Sequence, residues 1–395
     1  MAWYEERLQR IREETRRIGA DALVLFKPQN AYYVTLFNAI VYSRPVIAIV
    51  PLEGDPALLV PRLRMGHAQE ESRVKDIRVY HRTRIAETSS GMASDPMELV
   101  KEVLAEHGVL KGNVGIEMDY VTTVVFENLK KTLPNATFID VAPSFRKLRM
   151  VKDEEELEMM RRAADISDVG LETAINAISE RKTEIEVSIS AMWAMNNHWK
   201  ETYPDSEVAG FGDLEGGIVN SLWCYCLSGA RIGYGCESPS AHKIVNGDIV
   251  FVVVLTTLNG YHVENERTVV VGNLTAKQRK VLEAHLDAYQ EVMNAIRPGV
   301  TYSDVAKAAS EALERYGYLE YAHARAGHSI GLSAHEEPSF ALGEETPLQE
   351  NMVVSVEPSI DVKGVAHAGI SNVGVVTEDG FDLITHYRPT ELIIV

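Results

Sequence analysis

Between His323 and Pro338 the chain reads His-Ala-Arg-Ala-Gly-His-Ser-Ile-Gly-Leu-Ser-Ala-His-Glu-Glu-Pro. His328 and His335 stand seven residues apart, with Glu336 and Glu337 directly after the second. A neutral imidazole ligates metals and also takes and gives protons near neutral pH. The small residues Gly327, Ser329 and Gly331 let another backbone come close. Glu357 ends the apolar run Met352 to Val356. A carboxylate at the end of a buried strand is costly unless something pairs with it. Upstream, Gly260-Tyr-His-Val-Glu-Asn-Glu-Arg-Thr268 puts His262, Glu264 and Glu266 in one short stretch. Each of these has an ordinary reading taken alone. His328 reads as a satisfied loop histidine, His335 as a brace for its loop, His262 as solvent-facing in alternation with Tyr261, and Glu266 as the ion-pair partner of Arg267. It is their clustering that points to proton-transfer or metal chemistry.

Elements that would carry these residues are visible in the pattern. Residues 3–19 read as a helix ending at Gly19, followed by a strand from Asp21 to Phe26. Val46 to Val50, Ala57 to Val60 and Val114 to Glu117 read as strands, and Pro96 to Gly108 and Thr122 to Thr132 as helices. This alternation predicts an α/β domain, ending near Val141 to Leu148. A long helix then runs to about Ile178, and a second covers Glu184 to Trp199. Gly210 to Gly217 reads as a flexible loop, Ile218 to Leu227 and Gly247 to Leu255 as apolar strands, and Val269 to Val271 as a short one. Helices are expected over Thr275 to Ile296 and Tyr302 to Tyr316, and a strand from Gly369 into an Asp-Gly turn at Gly380. Two domains follow, 1–148 and 149–395.

At 395 residues and 46% hydrophobic content, the chain can bury two ordinary cores. No apolar run reaches membrane-spanning length, and the opening Met-Ala-Trp-Tyr-Glu-Glu-Arg reads as an amphipathic helix rather than a signal peptide. A net charge of −18 without a basic patch argues against nucleic acid as partner and suits a cationic or zwitterionic small molecule. Three cysteines make no disulfide framework, so a reducing cytoplasm is expected. Cys224 and Cys226 read as buried thiols.

The order Gly-His-x-x-Gly at Gly327, His-Glu-x-Pro at His335, Met-Val-x-Ser-x-Glu-Pro at Met352 and Val-Thr-Glu-Asp-Gly at Val376 resembles the pita-bread superfamily of aminopeptidase P, prolidase, methionine aminopeptidase and creatinase. Asn30-Ala-Tyr-Tyr-Val-Thr, Arg149-Met-Val-Lys-Asp-Glu-Glu-Glu-Leu157 and Arg297-Pro-Gly299 extend the likeness over nearly the whole chain. The resemblance implies an N-terminal α/β creatinase-type domain and a C-terminal pita-bread catalytic domain, α+β in class. Metal-dependent members hold a pair of divalent ions with two Asp, one His and two Glu. The matching positions here are Val253, Glu264, His328, Glu357 and Ser371. With valine and serine at two of them, the expectation is that the chain binds no metal and no other cofactor.

The pattern then resembles creatinase, a metal-independent member. Its substrate-holding glutamates match Glu266 and Glu357, its Gly-His-Ser-Phe-Gly matches Gly327 to Gly331, and its Phe-Gly-Arg, which reaches across a dimer, matches Tyr42-Ser-Arg44. The superfamily's upstream proton-transferring histidine falls on Cys236, and creatinase's further histidine falls on Ser371. Those departures bring ectoine hydrolase, another metal-free member, into equal consideration. The resulting expectation is a metal-independent hydrolase of a C–N bond in a small carboxylate-bearing compound: a cyclic amidine, a guanidino acid or an N-substituted amino acid. His328 would shuttle the proton. Glu266 and Glu357 would hold a cationic group and orient water, and Cys236 would stand in the upstream histidine's place. Arg44, Tyr42, His335, Glu264 and His262 would contact substrate, within a homodimer whose subunits share the active site. Two alternatives stand beside it: an Xaa-Pro-type peptidase with a remodelled one-metal site on Glu264, His328 and Glu357, and a non-catalytic binding protein. Replacing His328 by alanine is expected to abolish turnover at a stability cost of about 1 kcal/mol.

Overall fold

The structure, a computed structural model, describes residues 2–40, 42, 44–81, 95–212, 221–234 and 237–395. It divides into two compact units, Met1–Arg149 with Phe211–Val219, and Met150–Gly210 with Asn220–Val395.

In the first unit, β1 (Ala22–Leu25), β2 (Ile47–Pro51), β3 (Ala57–Pro61), β4 (Asp76–Tyr80), β5 (Asn113–Ile116) and β6 (Thr137–Asp140) form a sheet in the order β4-β3-β2-β1-β5-β6. The central strand β1 runs parallel to β5 and antiparallel to β2, and it reads as a continuous apolar run because every residue in it is buried. Among the described residues six helices accompany it: α1 (Ala2–Arg17), α2 (Pro28–Thr35), α3 (Met65–Glu71), α4 (Pro96–Glu106), α5 (Thr123–Thr132) and α6 (Ala142–Met150). Helix α2, absent from the pattern reading, starts on Pro28 and stops where Leu36 turns left-handed at φ 55°. Its N-terminus is fixed by buried Glu117, whose carboxylate accepts the N–H of Phe26 at 2.9 Å, that of Lys27 at 3.3 Å and Asn30 Nδ2 at 3.1 Å. An acid at that end suits the helix dipole.

The second unit begins with α7 (Glu154–Ser179) and α8 (Glu184–Thr202), each opened by a reciprocal capping box, Asp153 with Glu156 and Thr183 with Glu186. Strands β7 (Leu222–Ser228), β8 (Ile249–Leu258) and β9 (Tyr261–Val270) follow, then α9 (Ala276–Ala295) and α10 (Tyr302–Tyr316). The remaining strands are β10 (Gly327–Ser329), β11 (Glu336–Ser339), β12 (Val353–Val356), β13 (Ile360–Val362), β14 (Ala366–Ala368), β15 (Ile370–Val376), β16 (Phe381–Leu383) and β17 (Ile393–Ile394). Among the described residues the main sheet runs β11-β10-β12-β15-β9-β8-β7, with β16 against β15 and β17 against β9. Residues 218–220, expected in the first strand, lie outside the described residues, as does most of the expected 210–217 loop.

The segment expected as a short strand at Val269 to Val271 is the end of a ten-residue strand, β9, in a hairpin with β8. The turn is Asn259-Gly260, both left-handed at φ 47° and 81°, the pair a tight hairpin needs. Four polar residues, Glu264 to Arg267, hide this strand in the sequence.

Candidate active site

Alternation along a strand puts residues two apart on one face. On β9 that places His262, Glu264 and Glu266 together, and register extends the face sideways. Val253 lies opposite Glu266, and Leu255 opposite Glu264. Ser371 lies opposite Glu266 from the other side, while His328 faces Ser355 and Ser355 faces Val373. One face of the sheet thus gathers most of the residues singled out in the sequence.

They converge closely. Glu264 Oε1 lies 3.0 Å from His328 Nε2, 2.6 Å from Ser355 Oγ and 3.2 Å from Ser371 Oγ. His328 Nε2 lies 3.4 Å from Glu357 Oε1, and Arg325 Nε donates to that same oxygen at 3.0 Å. The His335 ring sits 4.6 Å from the His328 ring, centre to centre. His328 Nδ1 donates to the Ser329 carbonyl at 2.9 Å. That bond fixes the ring and turns Nε2 toward the carboxylates.

Charge follows from this packing. Burial pushes His328 down, but the Glu264 and Glu357 carboxylates outweigh it and carry it up to about 10. Burial likewise opposes ionisation of Glu264, yet the His328 charge and the hydrogen bonds from His328 and Ser355 hold it below the carboxylate range. Glu266 goes the other way: burial, then the negative charges of Glu264 and Glu357, push it well up. His335 is lowered by burial and by the neighbouring His328. Two carboxyls two residues apart on one strand are thus pushed in opposite directions.

The simple ion pair between Glu266 and Arg267 is not what forms. Arg267 points to the opposite face, where its guanidinium donates to the carbonyls of Glu266, Ser371, Tyr387 and Arg388 and to Asn372 Oδ1. His262 is tied to the loop before His335, its Nδ1 donating to the Gly331 carbonyl at 3.1 Å. Glu336 faces buried Lys152 at 3.8 Å. In the first unit, Tyr42 is buried among Phe37, Val46 and Leu58. Its hydroxyl donates to Asn38 Oδ1 at 3.0 Å and accepts the Ala39 N–H at 3.2 Å. Arg44 is half-buried in that unit, and Cys236 lies outside the described residues. Cys224 and Cys226 are buried as expected, and burial pushes the Cys224 thiol up to about 12.

Sequence reasoning missed Ser355 and Arg325. Ser355 had a signal, being the one polar residue in the run Met352 to Val356. Arg325 had none, because its partner is thirty-two positions away. His335 was read as a substrate contact, yet among the described residues Glu264, His328 and His335 each offer a ligand atom within 4.8 Å of the others, with His335 exposed. Two imidazoles and one carboxylate suit zinc or a similar divalent transition ion. The fit to one ion is good. The fit to a pair is not, because Val253 supplies no donor atom.

The chain belongs to Metallopeptidase family M24, whose sequence profile matches residues 158–378. The Creatinase/Prolidase N-terminal domain matches residues 7–151. An Xaa-Pro dipeptidase from Pyrococcus furiosus is 27% identical over 384 residues, spanning 96% of this chain and 98% of its own. The solved structure of an Xaa-Pro dipeptidase from Bacillus anthracis matches with a TM-score of 0.83 at 25% identity, over 99% of this chain and 100% of that one. A creatinase from a Bacillus species is 26% identical over 387 residues, covering 96% of this chain and 89% of its own length. These findings overturn the expected metal-independent hydrolase of a creatine- or ectoine-like C–N bond. The matching family is one of metallopeptidases, and full-length likeness runs to Xaa-Pro dipeptidases at least as strongly as to creatinase. Hydrolysis is the chemistry that membership supports. Among the described residues no helix is long and apolar enough to cross a membrane.

Proposed function

We propose that this chain is a peptidase of short peptides of the Xaa-Pro type, working with a divalent ion on Glu264, His328 and His335. The observation that carries the reading is the convergence of those three side chains within 4.8 Å on the face that also bears Glu266 and lies beside Glu357. The full-length likeness to Xaa-Pro dipeptidases supports the substrate class. When bound, such an ion polarises a peptide carbonyl and makes a water acidic enough to attack it.

The chain's own groups do the rest. The Ser329 carbonyl holds His328 with Nε2 forward, so loading an ion replaces the proton that Nε2 otherwise shares with the carboxylates. Arg325 holds Glu357 at Oε1, leaving its second oxygen to take a proton from water. Glu266 stands on the same sheet face two residues from Glu264, placed to exchange a proton with a substrate carbonyl or the leaving nitrogen. Arg44 is proposed to take the substrate carboxylate in a fork, from the partner subunit of a homodimer.

Stripping the protein with a chelator, reloading it with manganese, zinc or cobalt, and following release of free proline from Xaa-Pro dipeptides tests this. Ion-dependent release is expected. No release with any of the three ions contradicts it.

A further inference from the structure

Beside Glu264, the place a neighbouring ion would take is already filled by protein. Ser355 Oγ and Ser371 Oγ lie 2.7 Å apart, at 2.6 and 3.2 Å from Glu264 Oε1, and both serines are fully buried. With one proton each, the two hydroxyls serve the carboxylate and one another. Across the same row of the sheet, fully buried Val253 stands opposite Glu266, and Glu266 opposite Ser371. A second cation needs several oxygen or nitrogen donors of its own. Besides Glu266, this row and the neighbouring Ser355 offer only an isopropyl group and two hydroxyls bonded to Glu264 and to each other.

We infer that the chain holds one divalent ion rather than two, and that the Ser355–Ser371 hydroxyl pair stands in the second ion's place and positions Glu264 for the first. The inference rests on the peptidase reading above and adds to it a stoichiometry and two positioning residues. The hydroxyls hold Glu264 from behind, as hydrogen-bonded partners of a metal ligand do. Removing one frees the carboxylate to turn away, so ion affinity falls while the sheet stays formed. Restoring carboxylates at Val253 and Ser371 supplies the missing donors and opens a second place.

The test is a titration of the chelator-stripped full chain with manganese or zinc alone, by calorimetry, with elemental analysis after desalting. The wild type is expected to saturate at one ion per chain, and Val253→Asp/Ser371→Glu at two. Ser355→Ala is expected to weaken the ion by about 10–100-fold, the usual loss for an outer-shell partner, with Ser355→Thr restoring it. A buried aspartate at Val253 risks misfolding, so Ser371→Glu alone, checked by its melting curve, provides a second route to uptake above one per chain. A wild type that takes two ions overturns the inference and leaves the peptidase reading intact. A wild type that takes none overturns the ion site, and Xaa-Pro turnover measured on the same sample decides the peptidase reading separately. Uptake fixed at one in every folded carboxylate variant, or unchanged affinity in Ser355→Ala, overturns the stand-in role.

Discussion

His328 is the residue on which the site turns, and the structure changes what its loss should cost. Read from the sequence as a pocket imidazole that opens little apolar core when lost, its removal costs about 1 kcal/mol. Placed 3.0 Å from Glu264 and 3.4 Å from Glu357, it is the cation that lets those acids sit together. Breaking a buried pair by removing one partner costs on the order of 3 kcal/mol, so ion-free His328→Ala should unfold in markedly less urea than the ion-free wild type, besides losing the turnover that depends on its ion. A variant with wild-type urea midpoint would show that the carboxylates are not held by the imidazole. Arg325 offers a milder change. Arg325→Ala frees Glu357 Oε1, and turnover should drop by about ten-fold or more with the ion still bound. If ion affinity falls and turnover per loaded site does not, Arg325 serves the ion rather than Glu357.

At the scale of elements, α7 to α10 lie close to their expected spans, and polar caps fix where they start. Asp153, Thr183, Thr275 and Thr301 begin α7, α8, α9 and α10 where a polar cap precedes an amphipathic run. Strand β9 was not legible, because Glu264 to Arg267 break the apolar pattern. Their partners lie on β10, β12, β15, helix α7 and the loop at Tyr387 and Arg388, which a sequence read along its length does not reveal. The β13–β14 hairpin was hidden by its small size and its histidine. That histidine, His367, and His285 on α9 are both buried, with Nε2 lacking a hydrogen-bond partner among the described residues. Burial holds His285 down to about 4, and burial with His323 and His285 nearby holds His367 down to about 3. An unfolded chain takes up these protons near pH ~6.5, whereas the folded one refuses them. Their contribution is thus present above pH ~6.5 and lost as pH falls toward 4, about 3 kcal/mol for His285 alone. Glu117 in the first unit has the opposite sign. Burial raises it to about 7, so its contribution is present below pH ~4.5 and lost as pH rises through 7. Amide hydrogen exchange followed by unit should show the second unit loosening as pH falls from 6.5 toward 4 and the first as pH rises from 4.5 to 7. His367→Leu should flatten the first dependence, and Glu117→Gln the second. An acid limb unchanged in His367→Leu would remove His367 from this account.

For the whole molecule, family and fold were readable from four ordered motifs, and the substrate class was not. Counting ligand positions along the sequence showed Val253 and Ser371 as losses. Only the folded sheet brings His335 beside His328 and Glu264, where it becomes a third ligand. That is why a metal-free enzyme looked the better reading in one dimension and an ion-dependent peptidase is the better one in three. The proposed homodimer predicts a particle of about twice 43.9 kDa in light scattering, with Arg44→Ala raising KM for Xaa-Pro substrates more than it lowers kcat; a monomer with full activity would remove Arg44 of a partner from the scheme. The central claim is that Glu264, His328 and His335 hold an ion that hydrolysis requires. The direct measurement is Xaa-Pro hydrolysis by the His335→Ala variant and the wild type across a range of manganese or zinc concentrations. The account predicts that the variant needs at least about ten-fold more ion for half-maximal rate and that neither protein works without it; equal rates at every concentration, including in excess chelator, would contradict it.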